Sequence, residues 1–461
     1  MRNRIIYASF IIIFLSGFVL QAQKKTEVLT RSDKKKAIEK AGQLLSKFYV
    51  YPEVGFQMEK YLKSLNKEGT FNKIIDPNEF VKTLTTELRS INNDKHLFMY
   101  VGSNPDEQSK EDRYLNRLIR RIDREKDNFG LNRVEILDGN IGYLNIESVM
   151  YSEESVEVLS SALKFLSNTY AIIFDLRYNH RGRDPMYMSY LFSYFFENPT
   201  HINSIYWRDR NRTDEFWTQS EVPGKKMVDI PLFVLISSET FSGAEEFAYD
   251  LQALKRATII GEVSAGGANP ASTWVVYEDL RISIPFGRAI NPITGTNWEG
   301  VGVKPDIEVP ADKALEIAIR EAKTSAHNYY TTKKDKLVTD YNECNSSLER
   351  AEILFTEDKA KEAEKLVISS LKKAVDIELL NQSAINQLGY DYLNQYNKLM
   401  AIAIFKTNVL VYPESADVYD SLGEAYLENG NEQKAIQYYK KALEIDPNYA
   451  TALRALEEIN E

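Results

Sequence analysis

Pro231 to Glu262 reads PLFVLISSETFSGAEEFAYDLQALKRATIIGE, and this stretch decides the fold. Leu232-Phe-Val-Leu-Ile236 is an apolar run of strand length, too short for most helices, ending in the small polar cluster Ser237-Ser-Glu-Thr240. After a turn, Ser242-Gly-Ala-Glu245 opens a stretch with Phe247, Leu251 and Leu254 at the spacing of one helical face. Ala257 to Ile260 is a second apolar strand, closed by Gly261. The unit is strand, tight turn, helix, strand, with a serine where the helix begins.

That serine has two readings. Ser-x-x-Glu ahead of an apolar helical run is a capping box, in which Ser242 and Glu245 satisfy orphan amides of the first turn. A hydroxyl at a helix N-terminus also sits beside outward-pointing amides with partial positive charge, so an attacking oxygen and an oxyanion donor come together. One hydroxyl can serve both purposes, and the remaining chain has to decide.

At the start, Met1-Arg-Asn-Arg4 is basic, Ile5 to Leu20 is apolar and Gln21-Ala-Gln23 ends the run with a small residue. This reads as a secretory signal peptide over residues 1–22, cut after Ala22; the alternative is a membrane anchor, and the apolar run falls short of the ~20 residues a span needs. No Cys follows the run to accept a lipid. An exported protein is therefore expected, periplasmic or extracellular, with no stable membrane insertion after signal removal. A formal net charge of −10 over 461 residues argues against nucleic acid or an anionic membrane as partner. The single cysteine, Cys344, rules out an internal disulfide and offers no cysteine-based metal site.

Residues 23–100 read as a helical region. Ile38, Leu44, Leu45 and Phe48 mark one helix, and Asn78 to Leu88 another with Asp76 or Asn78 near its cap. The region ends at His96, where polar turn residues lead into the apolar strand Leu97 to Tyr100. Ser103 to Asp127 is dense in charge, and its arginines, Arg113, Arg117, Arg120, Arg121 and Arg124, read as a solvated helix. Strands then alternate with helical spacing: Val134 to Leu137, Ile141 to Ile146, a helix over Ser155 to Leu166, and Ala171 to Phe174 running into Asp175-Leu-Arg177-Tyr-Asn179-His-Arg-Gly182. Such alternation implies an α/β layer architecture with functional loops at the carboxyl ends of the strands.

Four separated motifs, Asp94-Lys-His96-Leu97, Asp175-Leu-Arg177-x-Asn179, Ser242-Gly-Ala-Glu-Glu246 and Glu299-Gly-Val-Gly-x-x-Pro305-Asp306, resemble those of the tail-specific, or carboxyl-terminal processing, serine peptidases. The resemblance covers roughly Ala37 to Ala322. It is strongest to the branch that includes tricorn protease and the interphotoreceptor retinoid-binding protein. It implies a crotonase-like β/α superhelix over 101–323, with Ser242 as nucleophile. Other branches place a lysine base in a turn that aligns with Ala265-Gly-Gly-Ala268, and no lysine is present there. The resemblance then makes His96 the base and Glu299 the acid behind it, with Asp94 as the competing partner. Lys95 stands where the tricorn pattern has a relaying serine. Gly243 and Gly182 are the implied oxyanion donors, and His180 and Arg181 replace glycines of that loop. No cofactor is expected. No metal is expected either, since His96 with Asp94 makes two ligands at most.

Residues 324–345 are polar and read as a linker. In 346–461 a helical pattern repeats: Leu388-Gly389, Tyr392, Ala401, Phe405 and Pro413 recur as Leu422-Gly423, Tyr426, Ala435, Tyr439 and Pro447, a period of 34 residues. The pattern resembles tetratricopeptide repeats, with clear copies at 382–415 and 416–449 and a degenerate one over Leu348 to Leu380. Tyr390, Tyr392, Tyr426 and Tyr438 fit core packing better than a binding groove. The expected protein is an exported serine endopeptidase acting on protein or peptide substrates, with the repeats recruiting substrate or a protein partner. The competing expectation is a catalytically silent scaffold that binds a peptide or apolar ligand.

Overall fold

A computed structural model describes residues 28–102, 110–182 and 184–460, so the expected signal peptide at 1–22 lies outside the described residues. The chain forms two compact units, divided at Tyr329 and Tyr330.

The first unit begins with three helices. Helix α1 (Arg31–Phe48) starts in a capping box, with Thr30 Oγ1 accepting from the Asp33 amide and the Asp33 carboxylate accepting from the Thr30 amide. Helix α2 (Pro52–Glu68) has proline in its first turn and left-handed Gly69 at its end, and α3 (Pro77–Arg89) is capped by Asp76. Their apolar faces share one core with Leu280, Ile282 and Ile284 from much later in the chain, so this region is not a separate bundle. The contact is built by β1 (Phe98–Val101), which follows His96.

The rest runs α4 (Lys110–Lys126), β2 (Leu131–Leu137), β3 (Ile141–Ile146), β4 (Ser148–Val149), α5 (Glu153–Leu166), β5 (Ala171–Asp175), β6 (Arg181–Gly182), α6 (Pro185–Phe192), β7 (His201–Trp207) and β8 (Arg212–Trp217). It continues through β9 (Leu232–Ile236), α7 (Gly243–Ala253), β10 (Ala257–Gly261), β11 (Ala271–Tyr277), β12 (Leu280–Pro285), β13 (Gly287–Ile290), β14 (Ile307–Glu308) and α8 (Ala311–Thr356). Six strands form the main sheet in the order β14-β10-β9-β5-β3-β2, parallel except for β2. Both of its faces are covered, which is why its strands read as unbroken apolar runs rather than alternating ones. Ile172, Phe174, Leu232 and Val234 point into the core shared with α5, α6 and α7; Ile173, Phe233 and Leu235 point the other way. There they meet Ala314, Ala318, Ala322 and Ala326, a small-residue stripe at helical spacing that lets α8 lie close to the sheet.

Strand β1 pairs antiparallel with β12, Phe98 opposite Ser283, in a three-stranded sheet of order β1-β12-β11. This pairing carries the early His96 loop to the carboxyl ends of β5 and β9.

The stretch 324–345, expected as a linker, contains the division between the two units and is helical within α8. From Ala311 to Thr356 there is no Gly or Pro, and i,i+4 pairs such as Lys336–Asp340 support the helix, so polarity alone misreads it. The second unit continues with α9 (Ala360–Asp376), α10 (Gln382–Asn394), α11 (Lys398–Val411), α12 (Ala416–Glu428), α13 (Glu432–Ile445) and α14 (Ala450–Asn460). A Cβ added to Gly389 would lie 2.5 Å from Phe405, and one on Gly423 2.9 Å from Tyr439, so the repeated glycines are where paired helices touch. Tyr390 packs edge-on against Phe405 and Tyr426 stacks on Tyr438, which makes these aromatics part of the packing. No helix among the described residues is long and apolar enough to cross a membrane.

Candidate active site

Ser242 occupies the corner between β9 and α7 with φ 61° and ψ −121°. Positive φ in a residue with a Cβ costs about 1–3 kcal/mol and persists only where the surroundings impose it. Glu245 imposes it. Its fully buried carboxylate accepts from the Ser242 amide (2.8 Å), Ser264 Oγ (2.5 Å), and the Gly266 and Gly267 amides (2.6 and 2.9 Å). Burial raises the pKa of this acid, and those four donors pull the other way. The capping residue read from sequence thus also ties the Ser242 corner to the 264–267 loop.

His96 Nε2 lies 3.2 Å from Ser242 Oγ. Arg89 grips the His96 loop on both sides, donating from Nη2 to the Lys95 carbonyl (2.6 Å) and from Nε to the Leu97 carbonyl (2.8 Å). Lys95 itself points to solvent. Phe241 packs against the imidazole, ring centroids 4.5 Å apart. A Cβ on Gly267 would come within 2.1 Å of Phe241 and 2.9 Å of His96 Cε1. Glycine is therefore required where other branches carry lysine, and a larger residue cannot share this space with the histidine. Burial, with the Arg89 charge adding to it, lowers the His96 pKa to about 4, so the ring is neutral at pH 7 and able to accept a proton.

Behind the ring are two carboxylates. Asp94 Oδ1 accepts from the His96 amide (3.0 Å), and its Oδ2 accepts from Tyr49 Oη and Asn269 Nδ2 (both 3.1 Å), so Asp94 holds the backbone of the loop. Glu299 Oε2 accepts from the Ala268 and Asn269 amides (2.7 and 3.1 Å). Glu299 Oε1 and His96 Nδ1 are both buried and have no partner. Asp94, His96 and Glu299 each offer an atom within 4.8 Å of the others, one more potential metal ligand than the sequence suggests. Both oxygens of Asp94 are already accepting, which leaves Nδ1 and Oε1 as the uncommitted pair. Burial, reinforced by the Asp94 charge, pushes Glu299 up to about 8.

Gly243 opens α7 and lines the cleft in front of Ser242. Gly182 sits in β6, paired with Val149 of β4. His180 lines the same cleft with Nδ1 3.1 Å from the Glu239 carbonyl, and it is not among the described non-glycine residues at positive φ. Arg177 donates to both oxygens of Asp175 and to the Ala311 carbonyl, while Asn179 reaches the Ile146 carbonyl (3.0 Å), so both hold the loop. The cleft measures about 710 Å³.

Residues 140–309 match the description "Peptidase family S41", residues 22–127 match the N-terminal domain of peptidase S41 in eukaryotic IRBP, and residues 416–449 match the tetratricopeptide repeat. The first match contains Ser242 and Glu299, and the second contains His96. The chain carries a peptidase family S41 domain. A carboxy-terminal-processing protease of Bartonella bacilliformis is 26% identical over 211 residues, 43% of this chain and 47% of that protein. The chain thus spans about half the length of this curated relative. Among solved structures, the photosystem II D1 C-terminal processing protease is 13% identical, with a TM-score of 0.40 over 62% of this chain and 94% of that one. Tricorn protease is 11% identical, with a TM-score of 0.42 over 64% and 37%. A lipoprotein from Streptococcus agalactiae is 17% identical, with a TM-score of 0.41 over 64% and 98%.

Several groups that shape the candidate site escape a reading of the sequence. Tyr49, Arg89, Phe241 and Asn269 carry no motif of their own. Gly266 and Gly267 were visible only as an absence of lysine.

Proposed function

We propose that this chain is an exported serine endopeptidase in which Ser242 Oγ attacks the peptide carbonyl and His96 Nε2 takes its proton. The contact that carries the reading is the 3.2 Å approach of Oγ and Nε2, between residues separated by 146 positions, at the floor of an open cleft. The neutral state of His96 suits a general base at neutral pH. In this reading ionised Glu299 orients the ring and stabilises the imidazolium, with Oε1, the carboxylate oxygen left uncommitted, accepting a hydrogen bond from Nδ1–H. The amides of Gly243 and Gly182 receive the oxyanion. Residues 1–22 direct export to the periplasm or beyond, and the repeats at 346–461 recruit substrate or a protein partner.

An active-site serine probe tests the assignment. Wild type is labelled, and Ser242→Ala and His96→Ala are not; labelling that survives Ser242→Ala sinks it. A silent binding scaffold is the second reading, favoured by the unmade hydrogen bond between buried His96 Nδ1 and Glu299 Oε1. It requires that folded wild type take no label at all. Deleting residues 348–461 tests the repeats, and partner capture that persists without them removes that part of the proposal.

A further inference from the structure

Glu246 follows Glu245 on α7, yet the two acids have opposite surroundings. Glu245 is sealed by four donors, whereas Glu246 lines the cleft and receives one hydrogen bond, from Asn203 Nδ2 to Oε1 at 3.0 Å. Only 7% of Glu246 is exposed. Glu246 stands in the first turn of α7, just after Ser242, and both residues line the cleft. Asp184, at the cap of α6, lines the same cleft and accepts from the Met186 amide at 2.9 Å. A turn deeper on α7, Asp250 is fully buried; Oδ1 accepts from Asn291 Nδ2 at 2.8 Å and Oδ2 has no partner.

Buried carboxylates ordinarily bring a cation with them. Among the described residues, the charges that act on Glu246 and Asp250 are other carboxylates: Asp184 on Glu246, and Glu246 on Asp250. Burial and the Asp184 charge hold Glu246 up to about 7, a cost that a cation entering from the cleft would relieve. The lining of the same cleft includes the apolar side chains of Ile205, Trp207, Ala289 and Trp298. Apolar walls with an acid at the end suit a long side chain that has an alkyl stem and a charged head.

We propose that Glu246, backed by Asp184, forms the subsite for the residue on the acyl side of the cleaved bond and selects lysine or arginine there. The stem lies along Trp207 and Trp298, and the ammonium or guanidinium pairs with the Glu246 carboxylate. The side of the bond rests on the assignment of Ser242 as nucleophile; the ligand class does not.

Binding is tested on full-length Ser242→Ala protein, which needs no turnover, with p-aminobenzamidine as the cationic probe and p-aminobenzamide as its neutral counterpart. The amidine is expected to bind in preference to the amide, and Glu246→Gln in the same background to weaken it by about thirtyfold or more. Gln keeps an acceptor for Asn203, and an unchanged thermal transition verifies the fold; Asp184→Asn, at the rim, provides a second, smaller loss. Equal binding of amidine and amide, or no loss with Glu246→Gln, overturns the proposal. Paired peptides that differ only in Arg or norleucine before the cleaved bond complete the test on wild type. A preference for Arg of about a hundredfold in kcat/KM is expected, and hydrolysis of both at equal rates overturns the proposal. Glu246-dependent amidine binding with neither peptide hydrolysed would instead sink the Ser242 reading and leave the cationic subsite standing.

Discussion

Gly267 in the S41 domain and Gly389 in the repeats do the same steric job with very different partners. A Cβ on Gly267 would strike Phe241 and His96, and one on Gly389 would strike Phe405 of the next helix. The Gly389 contact recurs one period later as Gly423 against Tyr439, so its purpose can be read from the sequence pattern. The Gly267 contact occurs once, and His96 arrives from the far end of the domain. Close packing is legible where its partner is local and repeated, and illegible where the fold has to deliver the partner.

The sharpest way to break the comparison is to fill both glycines. Gly267→Ala should displace Phe241 or the imidazole and lower kcat/KM by about a hundredfold, since small misplacements of catalytic groups cost that much. Peptide hydrolysis checks it, and wild-type rates would show that the contact has slack. Gly389→Ala should overpack the first repeat and destabilise the second unit by about 1–3 kcal/mol, read by denaturant unfolding, with hydrolysis of a short peptide unchanged.

The next effect is on pH dependence. Glu299 has a folded pKa raised from 4.5 to about 8, so the folded protein holds a proton where the unfolded chain has lost it. Stability from this group is full below pH 4.5 and is lost as pH rises towards about 8. Glu299→Gln should flatten that slope in thermal unfolding measured across the window. If ionised Glu299 supports the imidazolium, kcat/KM of wild type should also climb towards pH 8, and Glu299→Gln should remove the climb. The smallest effect expected is for Lys95→Ala. The side chain is exposed and only its carbonyl is gripped by Arg89, so kcat/KM should change by less than about threefold, as for most surface substitutions.

Much of the candidate site was visible as four separate motifs, and their order along the chain suggested that they meet. How they meet was not visible. Asp94 and Glu299 were rivals for the same histidine, and the structure separates their surroundings. Asp94 accepts from the His96 amide, Tyr49 and Asn269, while Glu299 keeps one oxygen uncommitted. Two of those donors, Tyr49 and Asn269, come from residues with no motif, so spacing could not have ranked the two acids. The misread linker at 324–345 has a simpler cause. Polar residues without Gly or Pro suit an exposed helix as well as a loop, and the alanine stripe that anchors α8 to the sheet ends at Ala326, near the start of that stretch.

By itself, the sequence determined what short-range rules govern: apolar runs that become buried parallel strands, the Ser-x-x-Glu opening of α7, and a repeat whose glycines and aromatics meet between paired helices. Tertiary structure alone decided which side of α7 faces a closed network and which faces the cleft. Glu245 and Glu246 are identical in type and adjacent in sequence. About 100° of helical rotation between them gives one four hydrogen-bond donors and leaves the other a single donor and an open cleft.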